Sequence, residues 1–306
     1  MTPEILDKLI SLDSAGFLIT EGESAEDFLQ RVSNTEKVYA DFNAELETGA
    51  NVKIFDLFEV NSDCRISPEL SGEAAEITGN LYGFAVSHVP GFYLTKEIGL
   101  LWGGCLIGDP DENFAVFLLR DAFRKHRRFL NYRREELLAH ELCHSVRHVM
   151  CEPRLEEYFA YQTSPSPLRR YLGNCFISDK DAWGFLIPVM FLPLAEVTRA
   201  LWLPGFPSWI FWIIAMIYPL FLLLRNNFSR SLVNRARRVL QAAQLKFCEA
   251  VLFRATPQEL AEIGRLEVAD FEQYAAEKAE KSLRWKVIYE RFIRKNESGN
   301  CEGKSL

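Results

Sequence analysis

The 306-residue sequence predicts an α+β fold that carries a transmembrane helical hairpin. Three features lead there. A helix-forming segment holds two histidines four residues apart, His140 and His144. An apolar, strand-like run at residues 113–119 precedes it. A second, almost wholly apolar run, residues 183–224, breaks at the turn composition Leu203-Pro204-Gly205-Phe206-Pro207-Ser208.

Taken in chain order, Thr2-Pro3 opens a first helix carrying Ile5, Leu6, Leu9 and Ile10. Ser24 caps a second with Phe28, Leu29 and Val32. This acidic start, residues 1–50, reads as an appended helical region. Its first 17 residues are too acidic and too poor in apolar side chains for a signal peptide. Residues 51–182 form the central domain. There strands are expected at 81–87, 91–95, 98–107 and 113–119, with a bend at Gly103-Gly104 and a turn at Gly108-Asp109-Pro110-Asp111. The 113–119 strand is either a sheet edge or an interior strand, and its near-continuous apolarity favours the interior. Residues 226–306 form a C-terminal helical region, with helices expected at 229–253 and 257–294. Thr256-Pro257-Gln258-Glu259 combines a capping box with a first-turn proline. From Asn296 onward the chain is polar, and disorder is expected. Whether these late helices pack on the central domain or form a stalk is open.

The segment His140-Glu141-Leu142-Cys143-His144 lies in a helix expected over residues 134–150. Side chains step by about 100° along a helix, so His140, Glu141 and His144 share one side. Leu138, Leu142, Val146 and Val149 share the opposite side and can face a core. Two imidazoles about 6 Å of rise apart can hold one Zn²⁺ with a glutamate beside them. The competing reading is a surface helix with two incidental histidines. Catalytic zinc usually has three protein ligands and an open position. His148 lies about 12 Å of rise from His140, too far to share an ion with it. A better third ligand follows in Glu152-Pro153-Arg154-Leu155-Glu156-Glu157-Tyr158-Phe159-Ala160-Tyr161. Pro153 suits the first turn of a new helix, and a tight turn near Cys151 would fold that helix back. Glu157 then returns level with the histidines, while the adjacent Glu156 points about 100° away.

Residues from about 114 to 160 resemble the gluzincin metallopeptidases, whose third zinc ligand is a glutamate on the next helix, often followed three residues later by Ala or Ser. Glu157-Tyr158-Phe159-Ala160 fits that pattern, so Glu157 is the expected ligand and Glu156 the alternative. The sequence departs from the family in two ways. The gap between His144 and Glu157 is shorter than in the best-known members, and Tyr161 stands where many carry a histidine-orienting aspartate. The resemblance implies a zincin-like catalytic domain and a zinc-activated water. Glu141 would act as general base toward that water and then pass the proton to the leaving amine. Tyr161, Tyr158 and Arg154 are close in sequence, with Tyr161 as the oxyanion candidate.

The apolar run divides into two spans, 183–202 and 209–224, near the roughly 20 residues that cross a bilayer. Trp183, Trp202, Trp209 and Trp212 suit interfacial positions. Arg169, Arg170 and Lys180 precede the hairpin, Arg225, Arg230, Arg235, Arg237 and Arg238 follow it, and the connecting turn has no basic residue. The positive-inside rule therefore puts both ends, and the candidate zinc site, in the cytoplasm. The expected setting is a bacterial inner membrane. Glu196 and Arg199 fall within the first span at a spacing that allows a pair, which makes them functional, or the segment re-entrant or partly interfacial so that the pair stays wet.

Net charge −7 and a pI of about 5.5 argue against nucleic-acid binding. The basic cluster Arg120, Arg124, Lys125, Arg127, Arg128, Arg133 and Arg134 reads as a solvated helix face, or as a contact for headgroups or an acidic substrate. Seven scattered cysteines without a CxxC pair suit a reducing compartment, and Cys143 is expected to pack. The expected function is that of a membrane-anchored zinc metalloendopeptidase acting on a peptide or protein. A catalytically silent membrane scaffold and a hydrolase of non-peptide amides are the alternatives.

Overall fold

In the computed structural model, residues 1–55, 57–94, 103–109, 114–129 and 131–294 are described. The chain is mixed α and β. Helices α1 (Pro3–Ser14) and α2 (Ala25–Glu47) lead to a short hairpin of β1 (Val52–Ile54) and β2 (Phe58–Val60), then α3 (Pro68–Tyr82). Strands β3 (Gly91–Leu94), β4 (Gly104–Asp109) and β5 (Phe114–Arg120) form one sheet, followed by α4 (Ala122–Lys125), β6 (Arg128–Phe129) and β7 (Tyr132–Arg133). The remaining helices are α5 (Arg134–Arg147), α6 (Pro153–Tyr161), α7 (Pro167–Leu172), α8 (Asp179–Leu201), α9 (Trp209–Ala242), α10 (Cys248–Arg254), α11 (Pro257–Ile263), α12 (Phe271–Lys281) and α13 (Leu283–Ile288).

The sheet order is β3-β5-β4, with β3 parallel and β4 antiparallel to β5. The interior reading of 113–119 therefore holds, because β5 is central and buried along its length. Its side chains alternate between two cores. Phe114, Val116 and Leu118 meet Tyr39 and its neighbours on α2, while Phe117 and Leu119 join the α3–α5–α6 side. Two layers of cover explain why the run lacks a polar face. β3 begins opposite Phe117, so it does not reach Ala115. The Tyr39 hydroxyl takes its place, donating to the Ala115 carbonyl and accepting from its N–H, both at 3.0 Å.

Several expectations need correction. The strand expected at 81–87 is instead the end of α3 and an irregular segment. Ser67 caps that helix, Pro68 opens it, and Gly83 closes it at φ 73°. Leu70, Ala74, Thr78 and Tyr82 form its buried stripe, at helical and not strand spacing. The expected helix at 229–253 is the continuation of α9, broken at 243–247, where Gln244 takes φ 56°. The segment 257–294 divides at Gly264 and Ser282. The basic cluster is not one solvated face. Arg120 is buried at the end of β5 with its guanidinium 4.3 Å from the Phe129 ring, while Arg124 lies over Tyr93. β4 runs on through Asp109, and residues 98–102, 110–111 and the tail from Asn296 lie outside the described residues.

The late helices pack back on the body. Val233, Leu240, Val251, Phe253 and Trp285 share a core with Leu138, Leu142 and Phe159. α1 closes against them through Leu9 and Val287. α8 and α9 are long and apolar enough to cross a membrane. Their outer faces, including Met190, Leu194, Met216 and Leu220, are exposed. Glu196 and Arg199 pair at 3.0 Å, and the Trp212 indole donates to Glu196 at 3.1 Å. This group lies within two turns of the tip, away from the middle of the helix. At the base Arg225 bonds Asp181 at 2.7 Å and the Cys175 carbonyl at 2.7 Å. α9 then continues without interruption into the folded body.

His88 stacks on Phe17 at 4.3 Å and meets Tyr39 edge-on at 5.5 Å. Burial lowers its pKa to about 4. The unfolded chain, near 6.5, therefore binds more protons than the folded one between these values. Stability is expected to fall as pH drops from about 6.5 to 4, by roughly 2 kcal/mol once partial exposure is discounted. His88→Gln should flatten that part of the curve in detergent-solubilised unfolding. An unchanged slope would reject the assignment.

Candidate metal centre

Leu138, Leu142 and Val146 are buried against the core, which fixes the rotation of α5. His140 and His144 consequently face α6, and Glu141 faces the β4 side of the helix. α5 ends at Arg147, and one 3-10 turn carries the chain over residues 148–150. Cys151 reverses it at φ 50°, and Pro153 starts α6 with Glu152 as its cap. Leu155, Tyr158 and Phe159 anchor α6, leaving Glu156 and Glu157 toward α5. His140 meets Tyr161 while His144 meets Glu156 and Glu157, the pairing of an antiparallel helical hairpin.

Three ligand residues converge. His140 Nε2 and His144 Nε2 are 3.1 Å apart, Glu157 Oε2 lies 3.6 Å from the first and Glu157 Oε1 3.5 Å from the second, and one ligand atom from each residue lies within 4.8 Å of the other two. Donors about 2.0–2.2 Å from a tetrahedral ion stand roughly 3.3–3.6 Å from one another, so the set suits a zinc-sized cation. Among the described residues this trio is the group with that convergence. Glu156 does not join it. Its carboxylate reaches the other nitrogen of His144, Nδ1, at 3.0 Å. That contact favours the tautomer with Nδ1–H toward Glu156 and leaves Nε2 facing Glu157. His140 has a backbone hydrogen bond with Ala160. His148 turns away, its Nδ1 2.8 Å from the Ser145 carbonyl.

The electrostatics also suit a cation. Burial lowers the pKa of His144, but the Glu156 hydrogen bond and the charges of Glu141, Glu157 and Glu156 outweigh it, lifting the group to about 9. Burial and the neighbouring carboxylates raise Glu157 to about 7 despite the pull of His144. Burial and the His144 charge hold His140 well below its usual value. Three acidic side chains, Glu141, Glu156 and Glu157, thus surround His144, a grouping whose charge a divalent cation can balance. Burial also raises Glu141, opposed by His144 and by the Leu106 N–H, which donates to its Oε2 at 2.9 Å.

Leu106 belongs to β4, whose outer edge has no strand partner among the described residues. Arg120 N–H bonds the Gly103 carbonyl, which sets the antiparallel alternation. By that alternation Leu106 points its N–H away from β5 and toward Glu141. Between β4 and α5 lies a cleft of about 270 Å³, bordered by Gly104, Tyr132, Glu136, His140, Glu141 and Tyr161. A Cβ at Gly104 would meet the Leu118 carbonyl at 2.8 Å, so only glycine fits the strand there.

Of the expected oxyanion donors, Tyr161 lines the cleft, edge-on to His140 at 4.5 Å. The Tyr158 hydroxyl instead accepts from Arg237 at 3.1 Å, and Arg154 lies over Phe228. Three participants escaped the sequence reading. Tyr132 borders the cleft beneath Arg169, 4.6 Å from its ring. Arg169 bonds Glu136 at 3.0 Å. Glu136 precedes His140 by four residues, so the helical spacing was the available signal. Tyr132 and Arg169 carried none, because their neighbours are set by tertiary packing. The chain matches no protein-family model, no curated protein and no solved structure.

Proposed function

We propose that the protein is a membrane-anchored, zinc-dependent metallopeptidase of gluzincin type, its catalytic domain on the cytoplasmic face. The convergence of His140, His144 and Glu157 on one point, with Glu141 turned into the adjoining cleft, carries this reading. Bound there, a zinc ion would supply Lewis acidity and acidify a water. Glu141 takes a proton from the attacking water and delivers it to the leaving amine. Tyr161, which lines the cleft edge-on to His140, is the proposed oxyanion donor. The outer edge of β4 offers backbone groups to an extended peptide beside the reacting centre.

The anchoring rests on the exposed apolar hairpin, and the orientation on the arginines at its base. One equivalent of zinc in purified protein, with chelator-sensitive cleavage from a diverse peptide library, is the expected result. Protein without zinc would reject the site. Zinc and Glu141 dependence without peptide cleavage would point to another amide. Glu156→Ala should weaken zinc binding about 10- to 100-fold in metal competition, as loss of a histidine-orienting carboxylate does. Unchanged affinity would leave Glu156 without that role.

A further inference from the structure

One face of α9 changes character along its length. Met216, Leu220 and Leu224 are exposed and apolar. At the same heptad spacing follow Asn227, Arg230, Asn234, Arg237 and Arg238, which with Tyr171 border a groove of about 650 Å³. Acidic residues are absent from its lining, although the whole chain is acidic. Glu249, just outside, is occupied by Arg237.

Resting on the reading that the hairpin crosses a bilayer, we propose that this groove binds the phosphate of an anionic phospholipid in the leaflet on the catalytic side, with Arg230 as its principal donor. An acyl chain lying against Met216, Leu220 and Leu224 brings its headgroup to the level of Asn227 and Arg230. Arg230 lies six residues beyond Leu224, about 9 Å along the axis. The headgroup layer adds roughly 5–7 Å beyond each side of the hydrocarbon, within reach of an arginine side chain. Arg238 is about 12 Å further on and outside that layer. Arg230 is held in place by the Arg170 carbonyl at 2.8 Å and by the Tyr171 ring at 4.9 Å. One bond to that carbonyl leaves several guanidinium N–H groups for a phosphate. Exposed Phe228 on α9 and exposed Leu168 and Leu172 on α7, the helix that carries Arg170 and Tyr171, add apolar surface beside Arg230.

The test uses full-length protein reconstituted in mixed phosphatidylcholine and phosphatidylglycerol vesicles, with bound lipid identified by native mass spectrometry. Wild type should retain phosphatidylglycerol over phosphatidylcholine. Arg230→Gln should lower that preference about fivefold, the weight of one cation at a charged surface. Arg230→Lys should keep most of it, and Arg238→Gln all of it. An unchanged preference in Arg230→Gln, or an equal loss in Arg238→Gln, overturns the site. So does displacement of the lipid by inorganic phosphate at comparable concentration, which would assign the groove to a soluble anion. Unfolding in neutral detergent checks that Arg230→Gln is folded; if it is not, the Arg230→Lys and Arg238→Gln outcomes decide. Release of the protein from pure phosphatidylcholine vesicles by alkaline extraction would instead show that the hairpin does not span, and both readings would fall.

Discussion

Glu141→Gln protein is expected to retain one equivalent of zinc and to lose peptide cleavage by about 10²- to 10⁴-fold, the usual contribution of a positioned general base. The substitution isolates chemistry from architecture. The glutamine side-chain oxygen can still accept the Leu106 N–H that the Glu141 carboxylate accepts at 2.9 Å. The converging atoms of His140, His144 and Glu157 are untouched. What disappears is the capacity to take a proton at pH 7. Cleavage within tenfold of wild type would remove Glu141 from the mechanism. Zinc at one equivalent with no Glu141-dependent cleavage across a diverse peptide library would favour a silent membrane scaffold. Glu157→Gln forms the contrasting case, since it should lower zinc content and activity together.

Much of the site was legible because its logic is local. The α5 stripe, the turn at Cys151 and the first-turn Pro153 together return Glu157 to the histidines using fewer than twenty consecutive residues. Helix geometry alone sets such a register. Glu156 illustrates the limit. The 100° step correctly separated it from Glu157, but only the packed hairpin shows it on the far nitrogen of His144. α3 was missed despite a readable start at Ser67-Pro68-Glu69, because short apolar runs near its end also suit a strand. The breaks at 243–247, Gly264 and Ser282 follow from tertiary packing that overrides helix propensity. The hairpin was legible from length and apolarity, but the union of its second helix with the following segment was not. Between Leu224 and Ala242 the pattern changes from lipid-like to amphipathic without a stop signal.

Asp13→Asn is expected to destabilise the fold by about 3–5 kcal/mol, the cost of leaving a buried charge without its partner. Asp13 is 3% exposed and Arg254 1%. Asp13 Oδ1 accepts from Arg254 Nε at 2.9 Å, its Oδ2 pairs with Arg254 Nη2 at 2.9 Å, and Arg291 donates to the same carboxylate. The two guanidiniums also reach the carbonyls of Tyr82 and Gly83. This cluster therefore ties α1 to the C-terminal helices and to the end of α3. α3 in turn packs on α5, so the clamp supports the site from behind without touching it. Asparagine keeps the shape but removes the charge that balances the buried Arg254 and the half-buried Arg291. The midpoint of thermal unfolding in detergent should fall by roughly 6–20 °C at 2–4 °C per kcal/mol. A shift below about 2 °C would mean that water already screens the cluster. The double change Asp13→Leu with Arg254→Met separates pairing from packing. It removes one cation with the anion and leaves Arg291, at the edge of the cluster, able to reach solvent. It should recover part of the loss, because an apolar substitute carries no desolvation cost. Zinc binding and cleavage by Asp13→Asn should remain near wild type below its midpoint, the reverse of Glu141→Gln, which loses chemistry while keeping stability.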